Sequence, residues 1–168
     1  MAKTSLNTID QSTLRPGPWH ADLDAHPEKS KLVTSNGYPC LISRKADCTY
    51  SASLFIPCSH PIVVSRKYSP ECKGIKWPNA VYQLCAVELK DFGKCSVYMF
   101  NFNNIFQISP VETDDKFLTD KNWHYYTFED VLNIINQATK CAEAYAMNEG
   151  YSISDCEKLL ELLVQTMN

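Results

Sequence analysis

From Tyr38 the sequence reads Tyr38-Pro39-Cys40-Leu41-Ile42-Ser43, a short apolar stretch of residues that favour β-strands. Similar stretches follow at residues 51–56 and 62–65, each set off by a polar break. Two longer ones span residues 80–89 and 94–102, and the Lys90-Asp91-Phe92-Gly93 between them is typical of a hairpin loop. Because the connections are too short for parallel crossovers, the pattern predicts about five strands, mostly antiparallel.

After residue 127 the apolar period becomes that of a helix, with Thr127 placed to cap it and Gly150 to end it. Its apolar face comprises Phe128, Val131, Leu132, Ile135, Ala138, Ala142 and Tyr145. A second helix is predicted from Ser154, which has capping-box spacing to Glu157, and its apolar face comprises Leu159, Leu160, Leu162, Leu163 and Met167. Strands followed by helices indicate an α+β fold whose C-terminal helical hairpin packs on one face of the sheet.

Composition fits a single globular domain, since 45% of the 168 residues are hydrophobic and 21% are charged. Residues 1–37 contain three prolines and no apolar period, so we expect an irregular N-terminal arm anchored by Trp19, followed by one α+β domain over residues 38–168. No apolar run is long enough to cross a bilayer and residues 1–13 are polar, which predicts a cytoplasmic protein that does not enter a membrane.

The eight cysteines are nowhere separated by only two to four residues, which argues against zinc knuckles and Cys-x-x-Cys redox motifs. We expect free, mostly buried thiols, with disulfides as the alternative.

Charge is distributed unevenly along the chain. Residues 28–76 carry eight bases and three acids, whereas residues 77–168 carry six bases and thirteen acids. Two predicted strands end in the same Ser-Arg-Lys sequence, at residues 43–45 and 65–67, and a three-strand meander would bring both to one end of the sheet. Arginine forks beside aromatic rings suit a phosphate or a nucleotide base. The predicted ligand-binding residues are therefore Arg44, Lys45, Arg66, Lys67, Tyr68, Lys73, Lys76 and Trp77.

The alternative interpretation of these cations is a solvated strand end. A pI of about 5.8 disfavours duplex DNA as a partner.

Candidate catalytic and metal-binding residues are few. His20, Asp22, Asp24 and His26 would share one side of an extended segment, but they would span about 20 Å, too far for one ion. A cysteine nucleophile, Cys48 or Cys58, would need His60 or His124 as its base, yet His60 precedes a proline and is more simply a turn residue. We therefore predict no catalytic residue, metal or cofactor.

Several motifs recur in order: Gly37-Tyr38-x-Cys40 with Arg44 four residues on, Pro57-x-x-His60-Pro61, and an aromatic strand near Phe100-Asn101 ahead of a C-terminal helix. In these motifs the chain resembles a family of short phage-encoded proteins of unassigned function, over roughly residues 37–145. The resemblance implies a fold more than an activity. The chain departs from the family pattern where Met99-Phe100-Asn101 replaces Gly-Phe-Asp and where residues 103–105 lack a histidine.

The favoured prediction is a small cytosolic binding or inhibitor protein, encoded by a phage or mobile element. It would engage a host protein or sequester an anionic, nucleotide-like small molecule through a basic surface. The alternative is a nucleotide-directed hydrolase or transferase with a Cys/His centre. A virion-associated structural protein is a third hypothesis, and homo-oligomers stay open.

Overall fold

The structure, a computed structural model, describes residues 11–64, 82–92, 95–104 and 107–167, with the backbone alone for 82–92 and 95–104. Its strands are β1 (Ser30–Ser35), β2 (Tyr38–Arg44), β3 (Tyr50–Pro57), β4 (Tyr82–Phe92) and β5 (Cys95–Asn104). Its helices are α1 (Trp19–Ala25), α2 (Pro61–Val64), α3 (Phe128–Asn148) and α4 (Ser154–Met167). Single 3-10 turns lie at Gln11–Thr13 and Asp115–Phe117.

The five strands form one sheet in the order β1-β2-β3-β5-β4, and every neighbouring pair is antiparallel. The α+β class predicted from the sequence is confirmed. The order places β5 between β3 and β4, so that β3 and β4 run parallel and the chain crosses over β5 to join them. β4 continues through the predicted hairpin loop as far as Phe92, which pairs with Cys95.

Residues 19–35 differ from the predicted irregular arm, because they contain α1 and the edge strand β1. A two-residue turn joins β1 to β2, with Asn36 at φ 47° and Gly37 at φ 83°. Asparagine and glycine tolerate this left-handed backbone, which matches the twist of a hairpin. Asn36 Nδ2 donates to Thr139 Oγ1 (2.9 Å), and Ser35 Oγ lies 2.7 Å from the same atom, so that the turn is fastened to α3.

The predicted strand at residues 62–65 is wrong, because residues 61–64 form the helix α2. Pro61 has the backbone angle of a first helical residue and no N–H to satisfy. The ring of His60 caps the turn, since Nδ1 accepts a hydrogen bond from Ile62 N at 3.1 Å, and His60 O accepts one from Val64 N at 3.0 Å. These local bonds override the strand preference of the β-branched residues.

The two long helices lie on opposite faces of the sheet, which corrects the predicted hairpin on one face. Strand side chains alternate between faces. Tyr38, Cys40 and Ile42 of β2 pack with α3, together with the alternate residues Tyr50, Ala52, Leu54 and Ile56 of β3. On the other side, Leu41 and Phe55 pack with Leu159 and Leu163 of α4.

Helix α3 begins and ends where the sequence predicts. Thr127 Oγ1 accepts from Asp130 N at 3.2 Å, and the Asp130 carboxylate accepts from Thr127 N at 2.9 Å, which completes a capping box. Gly150, at φ 68°, follows the C-terminus. After this turn, Ile153 and Cys156 still belong to the core of the α3 face, and the helix then continues onto the opposite face.

Candidate functional site

A buried carboxylate at the end of the sheet, Asp22 of α1, joins four parts of the chain. Its Oδ2 accepts hydrogen bonds from the hydroxyls of Tyr50 and Tyr125, both at 2.8 Å, and from Arg44 Nη2 at 3.5 Å. Its Oδ1 accepts from Phe128 N, the first amide of α3, at 2.9 Å. A negative charge at a helix N-terminus is favourable, and four donors offset the cost of removing the carboxylate from water.

Arg44 differs from the predicted exposed cation, because it is 5% exposed and is part of this cluster. Its guanidinium pairs with Asp22, donates to the Tyr50 hydroxyl and lies over the Tyr50 ring, 4.8 Å from the ring centroid. It therefore serves the fold, and it is already paired with an anion of the chain itself.

Burial raises the pKa of Tyr50 and of Tyr125 above the ordinary range. For Tyr125 the hydrogen bond to Asp22 adds to this effect. Both phenols therefore stay protonated and act as donors to the carboxylate. The cluster thus consists of a carboxylate acceptor and its hydrogen-bond donors.

Lys45 is exposed, as predicted, in the turn that follows β2. The remaining predicted ligand-binding residues lie outside the described residues: Arg66, Lys67, Tyr68, Lys73, Lys76 and Trp77. The expectation that Arg44 and Arg66 share one sheet end required a third strand at 62–65, which is α2 instead. The ring of His60, just before α2, bonds Tyr38 at the start of β2. Arg44 is at the other end of that strand.

Exposed lysines gather where β1 begins and β2 ends. Arg44 N donates to Lys29 O at 2.8 Å, so Lys29 lies opposite Arg44, and Lys45 follows Arg44 at the same end of the hairpin. Lys31 follows on β1, and all three side chains are exposed. Because Arg44 is buried and paired with Asp22, the hairpin's exposed cations are three lysines, which follow the exposed acid Glu28; we call Lys29, Lys31 and Lys45 the basic edge.

His60, a candidate catalytic base, is wholly buried and has both ring nitrogens engaged. Nδ1 accepts from Ile62 N, which leaves Nε2 to carry the proton and donate to the Tyr38 hydroxyl at 2.8 Å. Burial lowers the pKa of His60 to about 4, and the Tyr151 ring covers it at a centroid distance of 4.9 Å. The ring is thus a neutral capping group of α2.

No disulfide involves the described cysteines, which are Cys40, Cys48, Cys58, Cys141 and Cys156. Burial raises the pKa of Cys40, Cys48 and Cys141, which opposes formation of the nucleophilic thiolate. His124, the other candidate base, has an exposed side chain 3.8 Å from Asp130. Burial thus opposes activation of Cys48, one of the two candidate nucleophiles.

The His-x-Asp-x-Asp-x-His stretch of residues 20–26 is helical in α1 and its C-terminal cap rather than extended. Its four side chains consequently divide between two sides of the helix, with Asp22 buried and Asp24 accepting a hydrogen bond from Gln11. No group of three or more potential metal ligands occurs among the described residues.

The sequence gives little indication that the residues of this buried cluster contact one another. Asp22, Tyr50 and Tyr125 come from three separate segments, 28 and 75 residues apart. One available signal is that Asp22 follows Trp19 by three residues on the apolar side of α1, where a carboxylate needs partners.

Comparisons of the chain with protein-family models, with curated proteins and with solved structures find no match. Among the described helices, none combines the length and the apolar character that crossing a bilayer requires. Function is therefore argued from the residues themselves.

Proposed function

We propose that this chain is a binding protein that engages an anionic partner through its basic segment, residues 28–76. The observation that carries the proposal is the separation of two kinds of charge. The buried ionisable groups around Asp22 and His60 form hydrogen bonds within the fold. Lys29, Lys31 and Lys45, by contrast, are exposed along one hairpin. A binding role needs only the second kind.

An acidic surface of another protein suits this arrangement better than a small nucleotide. The exposed lysines are spread along a strand and the turn beside it, which favours an extended contact over a compact pocket. Blocking a host protein is a role that suits a phage-encoded chain, the origin that the sequence resemblance implies.

The experiment measures binding to poly-glutamate at low and moderate salt, comparing the wild type with the double variant Lys29→Glu, Lys45→Glu. We expect at least tenfold weaker binding in the variant, because charge reversal turns attraction into repulsion. The matched control is Lys140→Glu, an exposed lysine on α3 outside the basic segment, which should bind as the wild type does. Equal binding by all three proteins would refute the proposal.

A second measurement separates binding from turnover. The protein is incubated with nucleoside mono-, di- and triphosphates, and the nucleotides are weighed by mass spectrometry. Unchanged masses are expected, whereas a converted nucleotide would establish the hydrolase or transferase alternative.

A further inference from the structure

Among the described strands β1 is at the end of the sheet, so its outer side has no strand neighbour in this part of the chain. Because Arg44 N bonds Lys29 O, residues 29 and 44 form a hydrogen-bonded pair, and every second residue of β1 from Lys29 onward points its backbone groups at β2. The residues between them, Ser30, Leu32 and Thr34, therefore direct their N–H and C=O groups away from the sheet. Within the described part of the chain, no backbone group bonds to these three.

Of the features that usually guard a sheet edge, β1 has neither a proline nor a bulge, and the one charged residue within it is Lys31. Ser30, Leu32 and Thr34 are uncharged, and the β1–β2 register is regular along its whole length. The neighbouring cation, Lys31, lies over the Phe128 ring at 5.2 Å from its centroid, on the α3 face. The backbone of β1 is accordingly accessible to another strand.

The charge beside this edge selects the incoming strand. Lys31 is on β1, Lys29 directly precedes the strand and Lys45 is in the adjacent turn, while the nearest acid along the chain is the exposed Glu28. Pairing β1 with the β1 of a second copy would bring two such basic edges together, which costs free energy through like-charge repulsion. An extended segment that carries acidic side chains gains both backbone hydrogen bonds and charge complementarity.

We propose that β1 binds an extended acidic segment of a partner protein, which adds to the sheet as a sixth strand next to β1. This inference rests on the proposed function, and it names the surface and the conformation of the partner. Affinity comes from the backbone groups of Ser30, Leu32 and Thr34, and the preference for acids comes from the lysines.

The test introduces a proline into β1 at a position where it removes only a backbone N–H that points away from β2. Thr34 is exposed and its N–H points away from β2, so Thr34→Pro deletes one hydrogen bond to the incoming strand and leaves the β1–β2 bonds intact. The matched control, Thr34→Val, keeps the N–H and the strand preference. A second pair, Thr34→Glu and Thr34→Lys, changes only the charge at this edge, and thermal unfolding verifies that each variant is folded.

The probe is an eight-residue peptide that alternates valine with glutamate, acetylated and amidated, with a valine–lysine peptide as its counterpart. Binding of the glutamate peptide should slow hydrogen exchange at the backbone amides of Ser30, Leu32 and Thr34, which NMR measures during a titration. We expect at least tenfold weaker binding of the glutamate peptide by Thr34→Pro and Thr34→Glu, and wild-type binding by Thr34→Val and Thr34→Lys. The lysine peptide should not bind.

Equal binding of both peptides, or undiminished binding by folded Thr34→Pro and Thr34→Glu, would overturn the proposal. Binding of poly-glutamate that responds to Lys29→Glu, Lys45→Glu but not to Thr34→Pro would leave the proposed function standing and remove β1 as its site. Self-association of the wild type that Thr34→Pro abolishes would assign this edge to a second copy and equally overturn the inference.

Discussion

At the scale of single residues, Asp22 connects more of the molecule than any other side chain described above. Its carboxylate is 7% exposed and satisfies donors from β2, β3, the segment before α3 and α3 itself. Removing such a carboxylate leaves Arg44 as an unpaired buried charge and two phenols without their acceptor. The cost of that loss exceeds the cost of losing any one hydrogen bond.

Asp22→Ala should lower the free energy of unfolding by about 3–5 kcal/mol, the range for breaking a buried ion pair by removing one partner. Urea denaturation followed by circular dichroism measures it. Asp24→Ala, on the same helix but exposed, should change stability by only about 0.5 kcal/mol. Similar losses in the two variants would show that the Asp22 cluster does not stabilise the fold.

His60 makes stability depend on pH. In the unfolded chain its pKa is about 6.5, whereas in the fold it is about 4, so between these values the unfolded state binds more protons. Stability contributed by neutral His60 is therefore complete above pH 6.5 and is lost as the pH falls toward 4. The full loss is roughly 3 kcal/mol.

His60→Asn keeps an acceptor for Ile62 N and removes the titrating ring. The free energy of unfolding, measured from pH 7 to pH 4, should fall less steeply in this variant than in the wild type. Other titrating groups are common to both proteins, so the difference between the two curves reports on His60. Parallel curves would contradict the assignment of a lowered pKa.

At the scale of elements, the β1–β2 turn requires glycine for two separable reasons. Gly37 has φ 83°, and a Cβ there would lie 2.6 Å from Ile153 Cδ1. Gly150 has φ 68°, but a Cβ there would meet open space. The pair thus separates backbone strain from steric overlap.

Gly37→Ala should destabilise the protein by about 1–3 kcal/mol, mainly through strain because the overlapping Ile153 Cδ1 is the end of a flexible side chain that can shift, and Gly150→Ala by about 1–2 kcal/mol from strain alone. Ile153→Val removes the overlapping Cδ1, so adding it to Gly37→Ala should recover part of the loss. Thermal and urea unfolding of the four combinations of Gly37 and Ile153 variants gives the coupling energy. A coupling energy of zero would rule out the overlap.

The elements predicted correctly are those whose signal is local. The strand beginning at Tyr38 follows an apolar run, and α3 follows a cap and a 3.6-residue period. β1 was missed because it is a short edge strand, although the Asn36-Gly37 turn beside it is a strong hairpin signal. α2 was missed because a capping ring and a proline outweigh β-branched residues.

The candidate site was harder to predict because the type of a residue does not determine whether its side chain is buried. Arg44 is part of a Ser-Arg-Lys sequence that would look the same if its side chain were exposed. Only the fold brings Asp22, which is 22 residues earlier in the chain, into contact with it. The face chosen by α4 is likewise a property of the whole sheet, since an amphipathic helix fits either side.

Helix α4 is attached to its face of the sheet by few buried residues. Leu159 and Leu163 contact Phe55, Leu32 and Leu41, while Val164 is 44% exposed. Leu159→Ala should cost about 2–5 kcal/mol and Val164→Ala about 0.5 kcal/mol. Under native conditions, hydrogen exchange should be faster in α4 than in α3, and Leu159→Ala should accelerate only α4. Equal acceleration in both helices would show that they open together.

At the scale of the whole molecule, helices on both faces divide the charge. Residues 128–167 carry seven acids and two bases, whereas the β1–β2 hairpin contributes the basic edge. A partner with acidic side chains would therefore be attracted to the β1 edge of the sheet and repelled from the helices on its two faces. This separation orients the encounter before any contact forms, and added salt weakens it.

The strand order also has a consequence for biosynthesis. The central β3 leaves the ribosome with one side unpaired, and its permanent neighbour on that side, β5, ends 47 residues later at Asn104. At ribosomal speeds this interval lasts roughly two to nine seconds. The nascent chain thus carries an incomplete sheet in which the unpaired strand is the central one rather than a permanent edge strand. During that interval it is a natural client for a chaperone.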